Sequence, residues 1–104
     1  MQEYTIKFTP KAINEIIALF EYIFIDLKNP LGANRIIKNI YKKCYRLGIF
    51  PKISPVRAVR QNRELRFVHI KHYTIIYYID EAEGIVYITH VVNSRRDILG
   101  MIEN

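Results

Sequence analysis

Apolar and polar side chains alternate at the start of the chain and then follow a longer period. Within Glu3–Phe8 every second side chain is apolar, which predicts a half-buried strand. From about Pro10 to Leu27 apolar residues recur every three or four positions, which predicts an amphipathic helix with Thr9 as its N-cap. Glu15 is predicted to lie outside the core-facing stripe, which consists of Ile13, Ile16, Ile17, Phe20, Ile23, Phe24 and Leu27.

A second helix is predicted after a short connection. Asn29 and Pro30 repeat the order of a capping residue and a proline, and apolar positions continue at helical spacing to Leu47. Gly48 stands where a left-handed C-cap is expected. Because the connection is short, the two helices are expected to form an antiparallel hairpin. The predicted apolar stripe of the second helix consists of Ala33, Ile36, Ile37, Ile40, Cys44 and Leu47.

The second half of the chain has the pattern of an antiparallel sheet. Residues Phe50 to Arg63 contain Pro51 and Pro55 and are predicted to form a loop. Three strands separated by two tight turns are then predicted, and Ser94 is expected to cap one short helical turn near the C-terminus. The predicted strands are Glu64–Lys71, Tyr73–Ile79 and Ile85–Val92.

The predicted order of elements is β-α-α-β-β-β, which indicates the α+β class with a single domain over residues 1–104. The helical hairpin is expected to cover one face of a mainly antiparallel four-stranded sheet, with the first strand beside the last. Both faces of the strand Tyr73–Ile79 are largely apolar, so its outer face is expected to meet a partner. The residues predicted on that outer face are Thr74, Ile76 and Tyr78.

Charge is distributed unevenly over these elements. The 104 residues carry a formal net charge of +6, yet eleven of the 16 lysines and arginines lie between Arg35 and Lys71, where Glu64 is the one acidic residue. A concentrated field of one sign attracts polyanions or an acidic protein. The alternative interpretation is a solvated helix face followed by a basic loop.

Composition excludes several classes of protein. The single cysteine, Cys44, allows no intramolecular disulfide and makes no structural zinc site with the three scattered histidines. The longest apolar run is far shorter than a membrane span, and the first residues lack the pattern of a secretory signal, so a cytoplasmic protein without membrane contact is expected. No glycine-rich phosphate loop or nucleophile elbow occurs, and neither a metal nor a cofactor is expected.

The remaining candidate chemistry is basic. Ribonucleases that work without a metal need an acid, a base and cations for the phosphorane charge. Histidine titrates near neutral pH, so His90 is a candidate acid or base, and Arg66, Arg95 and Arg96 are candidate phosphate ligands. The alternative is that His90 is a partly buried sheet residue and that Arg66 pairs with the carboxylate of Asp97 or Glu64.

Several segments resemble the RelE/ParE superfamily of bacterial toxins from type II toxin–antitoxin pairs. They are the opening Tyr4–Ala12, the strands Glu64–Val68 and Tyr73–Asp80, and the ending Val86–Asp97 with its Arg-Asp pair. The family fold is β-α-α-β-β-β, the order that the residues predict. RelE-like members cut messenger RNA in the ribosomal A site, whereas ParE-like members poison DNA gyrase.

Two positions depart from the ribonuclease branch. Thr74 stands where the RelE-like strand has arginine, and Leu99 stands near the position of a catalytic tyrosine. The resemblance therefore implies a ParE-like toxin that arrests growth through gyrase, with no chemistry of its own. The alternatives are a basic binding module without toxicity and a RelE-like, metal-independent mRNA endonuclease, whose catalytic residues would be Arg66, His90, Arg95 and Arg96.

The resemblance also implies partners. A cognate antitoxin with an acidic or amphipathic segment is expected to fold on the toxin, to contact Thr74, Ile76 and Tyr78, and to bring the pair to operator DNA. The target is expected to be DNA gyrase or the ribosome with its mRNA. The residues expected to bind nucleic acid or a protein partner are Arg57, Arg60, Arg63, Arg66, Lys71, Arg95 and Arg96.

Overall fold

The computed structural model describes residues 3–102, which form one five-stranded sheet with two long helices on one face. The elements in chain order are β1 Thr5–Phe8, α1 Pro10–Glu21, a π-helical turn Tyr22–Asp26, α2 Pro30–Arg46, β2 Val56–Arg60, β3 Arg63–Ile70, β4 Tyr73–Asp80, β5 Ile85–Asn93 and α3 Ile98–Met101. The predicted α+β class is confirmed, with one strand more than predicted.

Both long helices begin where the sequence predicts. The Oγ1 atom of Thr9 accepts the N–H of Ala12 at 3.2 Å, and the Oδ1 atom of Asn29 accepts the N–H of Gly32 at 2.9 Å. A proline follows each cap, in a position where its missing N–H leaves no helical hydrogen bond unmade. These local signals therefore fix where the helical hairpin starts and where it turns.

Helix α1 departs from the prediction in its second half. The α-helix ends at Glu21 and continues as the π-helical turn, in which the N–H of Leu27 bonds to the carbonyl of Tyr22. The side chains buried against the core are Ala12, Ile16 and Ile23. The predicted stripe is wrong in part, because four of its members are 40–54% exposed, namely Ile13, Ile17, Phe24 and Leu27. The predicted stripe of α2 is confirmed.

Gly48 is needed for a close approach and not for a left-handed cap. Among the four glycines, only Gly84 has a positive φ. A Cβ atom at Gly48 would lie 2.7 Å from the carbonyl oxygen of Tyr4, and the N–H of Tyr4 bonds to the Gly48 carbonyl at 2.8 Å. Glycine at this position thus lets the residue before β1 pack against the end of α2.

The sheet has the order β1-β5-β4-β3-β2, with β1 parallel to β5 and the other pairs antiparallel. The predicted contact between the first and last strands is confirmed. The predicted loop is wrong at β2, because Pro51 and Pro55 precede this strand and leave its backbone free to pair with β3. The turn residues Gln61 and Asn62 have φ values of 54° and 62°, which suits a two-residue hairpin. The sheet therefore has five strands where four were predicted.

Both faces of the sheet are covered. The main core lies between the sheet and the two long helices, with Ile40, Ile75 and Tyr77 fully buried. On the outer face, a second core brings residues of the C-terminal segment onto the strands: Ile98, Met101 and Ile102 pack on Leu65, Phe67, Ile76 and Val92. The expectation of an exposed apolar outer face is wrong, since the chain's own C-terminal residues cover it.

The short C-terminal helix is present, but its cap differs from the prediction. The Oδ1 atom of Asp97 accepts the N–H of Gly100 at 3.2 Å, while Ser94 contacts a side chain of β4. In the described part of the chain no helix is long and apolar enough to cross a membrane. Within residues 3–102, no group of three or more His, Cys, Asp or Glu side chains is arranged to hold a metal ion.

Candidate functional site

Three arginines lie on the outer face of the sheet at the β2–β3 edge. Arg60 and Arg63 stand directly opposite each other across the hairpin turn. The guanidinium of Arg63 lies 4.6 Å from the ring centroid of Tyr78, and that of Arg57 lies 5.1 Å from the centroid of Phe67. Stacking on an aromatic face fixes a guanidinium while leaving the N–H groups of its edge free to bind an anion.

Arg66 faces the opposite side of the sheet. Its register partner on β4 is Tyr77, which belongs to the main core, and directly opposed residues share a face. The Arg66 guanidinium donates to the carbonyl oxygen of Ser54. The Tyr77 hydroxyl donates to the carbonyl of Pro51 at 2.7 Å, and burial raises the pKa of Tyr77. Arg66 therefore helps to hold the loop before β2, through a carbonyl and not through the predicted carboxylate.

Lys71, Arg95 and Arg96 lie at the far end of the strands from Arg66. Strand β5 ends opposite Tyr73, next to Lys71 in the β3–β4 turn, and Arg95–Arg96 follow directly. Arg66 of β3 is paired with Tyr77 of β4. At the usual rise per residue, Tyr77 lies about 13 Å along β4 from Tyr73. The structure therefore does not bring the four residues predicted for RNA cleavage into one site.

Glu15 occupies the open edge of β5. Strand β1 ends at Phe8, level with Ile88, so β5 continues beyond its parallel partner. The carboxylate of Glu15 accepts the N–H of Val91 at 3.0 Å and lies 3.2 and 3.3 Å from Nδ1 of His90. The Glu15 and His90 side chains are 14% and 20% exposed. The prediction that Glu15 lies away from the packed face is wrong, and its carboxylate orients the imidazole.

An open cleft on the outer face brings Arg60, Arg63 and His90 together. It has a volume of about 240 Å³, and the C-terminal segment forms one of its walls. The Nη1 atom of Arg60 donates to the carbonyl of Val59 at 2.9 Å, whereas its buried Nε atom has no hydrogen-bond partner among residues 3–102. The cleft thus offers guanidinium and imidazole groups to an oxyanion. Its other lining residues are Gln61, Leu65, Tyr78, Thr89, Met101 and Ile102.

The three residues predicted to contact an antitoxin differ in their exposure. Thr74 and Ile76 have no solvent-exposed surface, whereas Tyr78 is half-buried at the cleft. The Oγ1 atom of Thr74 lies 2.9 Å from Nδ1 of His69 and 2.8 Å from Oγ of Ser94. A partner therefore reaches Thr74 and Ile76 only if the segments that cover them move aside.

Two features of this region escape the sequence reasoning. The partner of Glu15 lies 75 positions further along the chain, so no local spacing indicates the contact. The meeting of Arg60 and Arg63 with His90 depends on the β2–β3 hairpin. The sequence indicates this hairpin only weakly, through two valines, Val56 and Val59, just before a turn that contains Asn62.

The chain matches a family model described as the ParE toxin of type II toxin–antitoxin system, parDE, over residues 6–98. One solved structure with a similar fold is the toxin–antitoxin complex RelBE2 from Mycobacterium tuberculosis. It is 21% identical, the match covers 88% of this chain and 98% of that chain, and the TM-score is 0.65. Another is the chromosomal ParDE toxin–antitoxin system from P. aeruginosa, with 13% identity, coverage of 88% and 96%, and a TM-score of 0.71. A comparison with curated proteins finds no match.

The family model spans every element from β1 to the start of α3. The two solved structures share the arrangement of helices on a mixed sheet. The resemblance first seen in segments such as Tyr4–Ala12 and Val86–Asp97 is thereby confirmed. The chain belongs to the ParE toxin family of type II toxin–antitoxin systems.

Proposed function

We propose that this chain arrests bacterial growth by binding DNA gyrase in the cytoplasm, without cleaving RNA, and that a cognate antitoxin silences it. The observation that carries the proposal is the separation of the residues predicted for RNA cleavage. Arg66 bonds to the carbonyl of Ser54 on the helix-facing side, and Arg95–Arg96 lie about 13 Å further along the strands. A cleavage site needs its acid, base and cations around a single phosphate.

Two positions that distinguish the ribonuclease branch support the same conclusion. Thr74, where that branch has arginine, is fully buried and engaged with two polar side chains. Leu99, near the position of its catalytic tyrosine, has a hydrocarbon side chain that transfers no proton. Removing one group that stabilises developing charge costs about 3 kcal/mol of barrier. Both substitutions therefore argue against efficient RNA cleavage.

The helical hairpin offers an apolar surface to a protein target. Near the connection between the two helices, Ile25, Leu27 and Leu31 are 62%, 54% and 76% exposed. Exposed apolar side chains that lie close together mark protein interaction sites more often than scattered ones do. We assign the contact with gyrase to this tip of the hairpin, with no catalytic step on the part of the toxin.

The test is a supercoiling assay with purified gyrase and relaxed plasmid. The wild-type chain is expected to inhibit supercoiling, and Leu31→Ser is expected to weaken the inhibition at least about tenfold through loss of apolar contact. The matched control is Val59→Ser, which changes an apolar side chain that is 57% exposed on β2. If gyrase is unaffected by an excess of the toxin, the proposal is wrong.

An mRNA endonuclease is the second candidate, and the outer cleft is the observation that favours it. His90 shares this cleft with Arg60 and Arg63, so an acid or base lies near two phosphate ligands. Primer extension on translated message would then show new cuts within codons, and His90→Ala would abolish them. Intact message during growth arrest would eliminate this candidate.

The antitoxin is the partner that we propose in either case. We expect a segment with acidic residues, because the chain carries a net charge of +6 and its cations are concentrated between Arg35 and Lys71. Induced expression of the toxin alone should stop colony formation, and co-expression of the neighbouring antitoxin gene should restore it. Normal growth without the antitoxin would instead support a non-toxic binding module.

A further inference from the structure

We propose that two copies of this chain form a two-fold dimer through an apolar surface at the end of α2 that lies away from the hairpin tip. This end surface consists of Tyr4, Ile49, Phe50 and Ile53. The last three side chains are 41%, 51% and 63% exposed. Large apolar side chains that are exposed close together mark interaction sites. The outer cleft and the hairpin tip contain none of these residues.

The loop that carries most of the end surface is held in place by its own hydrogen bonds. The Tyr77 hydroxyl donates to the carbonyl of Pro51 at 2.7 Å. The N–H of Phe50 bonds to the Arg46 carbonyl at 3.1 Å, and the N–H of Ile53 bonds to the Phe50 carbonyl at 3.2 Å. A segment that is already ordered loses little conformational entropy when it binds. The loop therefore presents its apolar side chains in a fixed arrangement.

The end surface contains both a groove and a ridge of apolar side chains. The groove has a volume of about 440 Å³ and is lined by Tyr4, Phe50, Pro51, Lys52 and Ile53. Phe50 and Ile53 also line a smaller pocket of about 50 Å³, so they form the ridge between the two spaces. A two-fold interface brings the same surface of each copy together. The ridge of one copy then enters the groove of the other, and the reverse contact follows by symmetry.

The acidic β4–β5 turn lies at the groove end of this surface. The carboxylate of Glu81 lies 3.4 Å from the Lys52 ammonium and accepts the Tyr4 hydroxyl at 2.8 Å. Both of these partners line the groove. Glu81 and Glu83 are exposed, and with Asp80 they are three of the ten acidic residues of the chain. Because Lys52 offsets only one of these charges, this end of the surface is negative.

The opposite end of the surface is positive. Lys43 and Arg46 of α2 line the small pocket beside Phe50 and Ile53. Among residues 3–102 neither cation has a carboxylate oxygen within 4 Å. A two-fold rotation about the ridge places the positive end of each copy over the acidic turn of the other, which gives two equal sets of opposite charges. A uniformly acidic partner would match the two cations but would be repelled by the turn.

A dimer built in this way leaves the hairpin tip free. Leu31 lies near the start of α2 and Arg46 at its end, so about 20 Å of helix separates the tip from the end surface. The dimer therefore presents two tips, and a target with two binding sites would be held by two linked contacts. This last step rests on the proposed gyrase contact, whereas the dimer does not.

The dimer is tested by sedimentation equilibrium of the purified chain without antitoxin or gyrase. At about 100 μM the wild type is expected to have twice the mass of one chain. Ile53→Asp should weaken dimerisation at least about tenfold, because it places a charge inside an apolar contact. The matched control is Val59→Ser, an apolar position of β2 that is 57% exposed and lies outside the end surface, and its dimerisation should equal that of the wild type.

The two-fold arrangement is tested by charge reversal. Arg46→Glu and Glu83→Lys each bring like charges together in both halves of the interface, so each variant alone should dimerise more weakly than the wild type. In an equimolar mixture the two variants restore opposite charges in both halves. Native mass spectrometry with one variant isotopically labelled should therefore show mixed dimers in excess over dimers of either variant.

Three results would overturn the proposal. They are a monomeric wild type at about 100 μM, a dimer that Ile53→Asp leaves intact, and a mixture without an excess of mixed dimers. If the chain is monomeric and Ile53→Asp instead weakens the complex with the antitoxin, the end surface belongs to that partner and the dimer is refuted. Gyrase inhibition is measured separately in the supercoiling assay, so either proposal can fail while the other stands.

Discussion

Replacement of Glu15 by alanine is expected to destabilise the protein by about 2 kcal/mol. The carboxylate accepts the N–H of Val91 at 3.0 Å at the open edge of β5 and lies against Nδ1 of His90. Alanine removes this acceptor and leaves a partly buried backbone donor without a partner, which costs about 1–3 kcal/mol. For a domain of this size, about 2 kcal/mol corresponds to a fall in Tm of about 8 °C.

The free energy of unfolding is measured by urea denaturation, together with hydrogen exchange of the Val91 amide. Glu15→Gln is the matched variant, because its amide oxygen still accepts the Val91 N–H while the charge is lost. We expect this variant to lose less than half of the stability lost by Glu15→Ala and to keep the Val91 amide protected. In Glu15→Ala the same amide should exchange faster.

Two results would refute this reasoning. If Glu15→Ala unfolds within about 0.5 kcal/mol of the wild type, the contact with β5 contributes as little as an ordinary surface substitution. If Glu15→Gln and Glu15→Ala lose equal stability, the charge matters and the acceptor for Val91 does not.

Three further predictions concern the core. Gly48→Ala should destabilise the protein by about 1–3 kcal/mol in urea unfolding, because its Cβ would lie 2.7 Å from the Tyr4 carbonyl oxygen, and equal stability would contradict the close approach. Burial raises the pKa of Cys44 to about 12, so at pH 8 its thiol should react with a disulfide reagent at least about 10³-fold more slowly in the folded than in the unfolded chain. Burial also raises the pKa of Tyr77, so the folded state holds this proton more tightly than the unfolded state. Stability should therefore fall as the pH rises above about 10, and Tyr77→Phe should flatten that fall in urea unfolding at alkaline pH.

The sequence predicts those features of the fold that are encoded locally. Thr9 and Asn29 each precede a proline, and both cap their helices as predicted. The alternation and turn signals of the second half place β3, β4 and β5 to within one residue at most of their bounds. Such signals need only a few adjacent residues, because capping and hairpin geometry are local.

Features that depend on distant contacts escape the same reasoning. Gly48 looks like a helix cap, and only the approach of Tyr4 shows why a side chain is excluded. The stripe of α1 is wrong at Ile13 and Ile17 because apolar periodicity does not tell which apolar residues will meet the sheet. Arg60, Arg63 and His90 are each identified as candidates from the sequence. They share a cleft because β2 pairs with β3. The sequence does not predict β2, because Pro51 and Pro55 just before it indicate a loop.

The two proposed surfaces lie on opposite sides of the sheet, and this separates their functions physically. Leu31 belongs to the helical layer that packs on one face, while Arg60 lines the cleft on the other. Layers packed on a sheet are about 10 Å apart, and substitutions at such distances act almost independently unless they share partners. Loss of gyrase inhibition in Leu31→Ser therefore tests the hairpin, and loss of message cleavage in His90→Ala tests the cleft. Loss of both activities in either variant would mean that the two surfaces are coupled through the sheet.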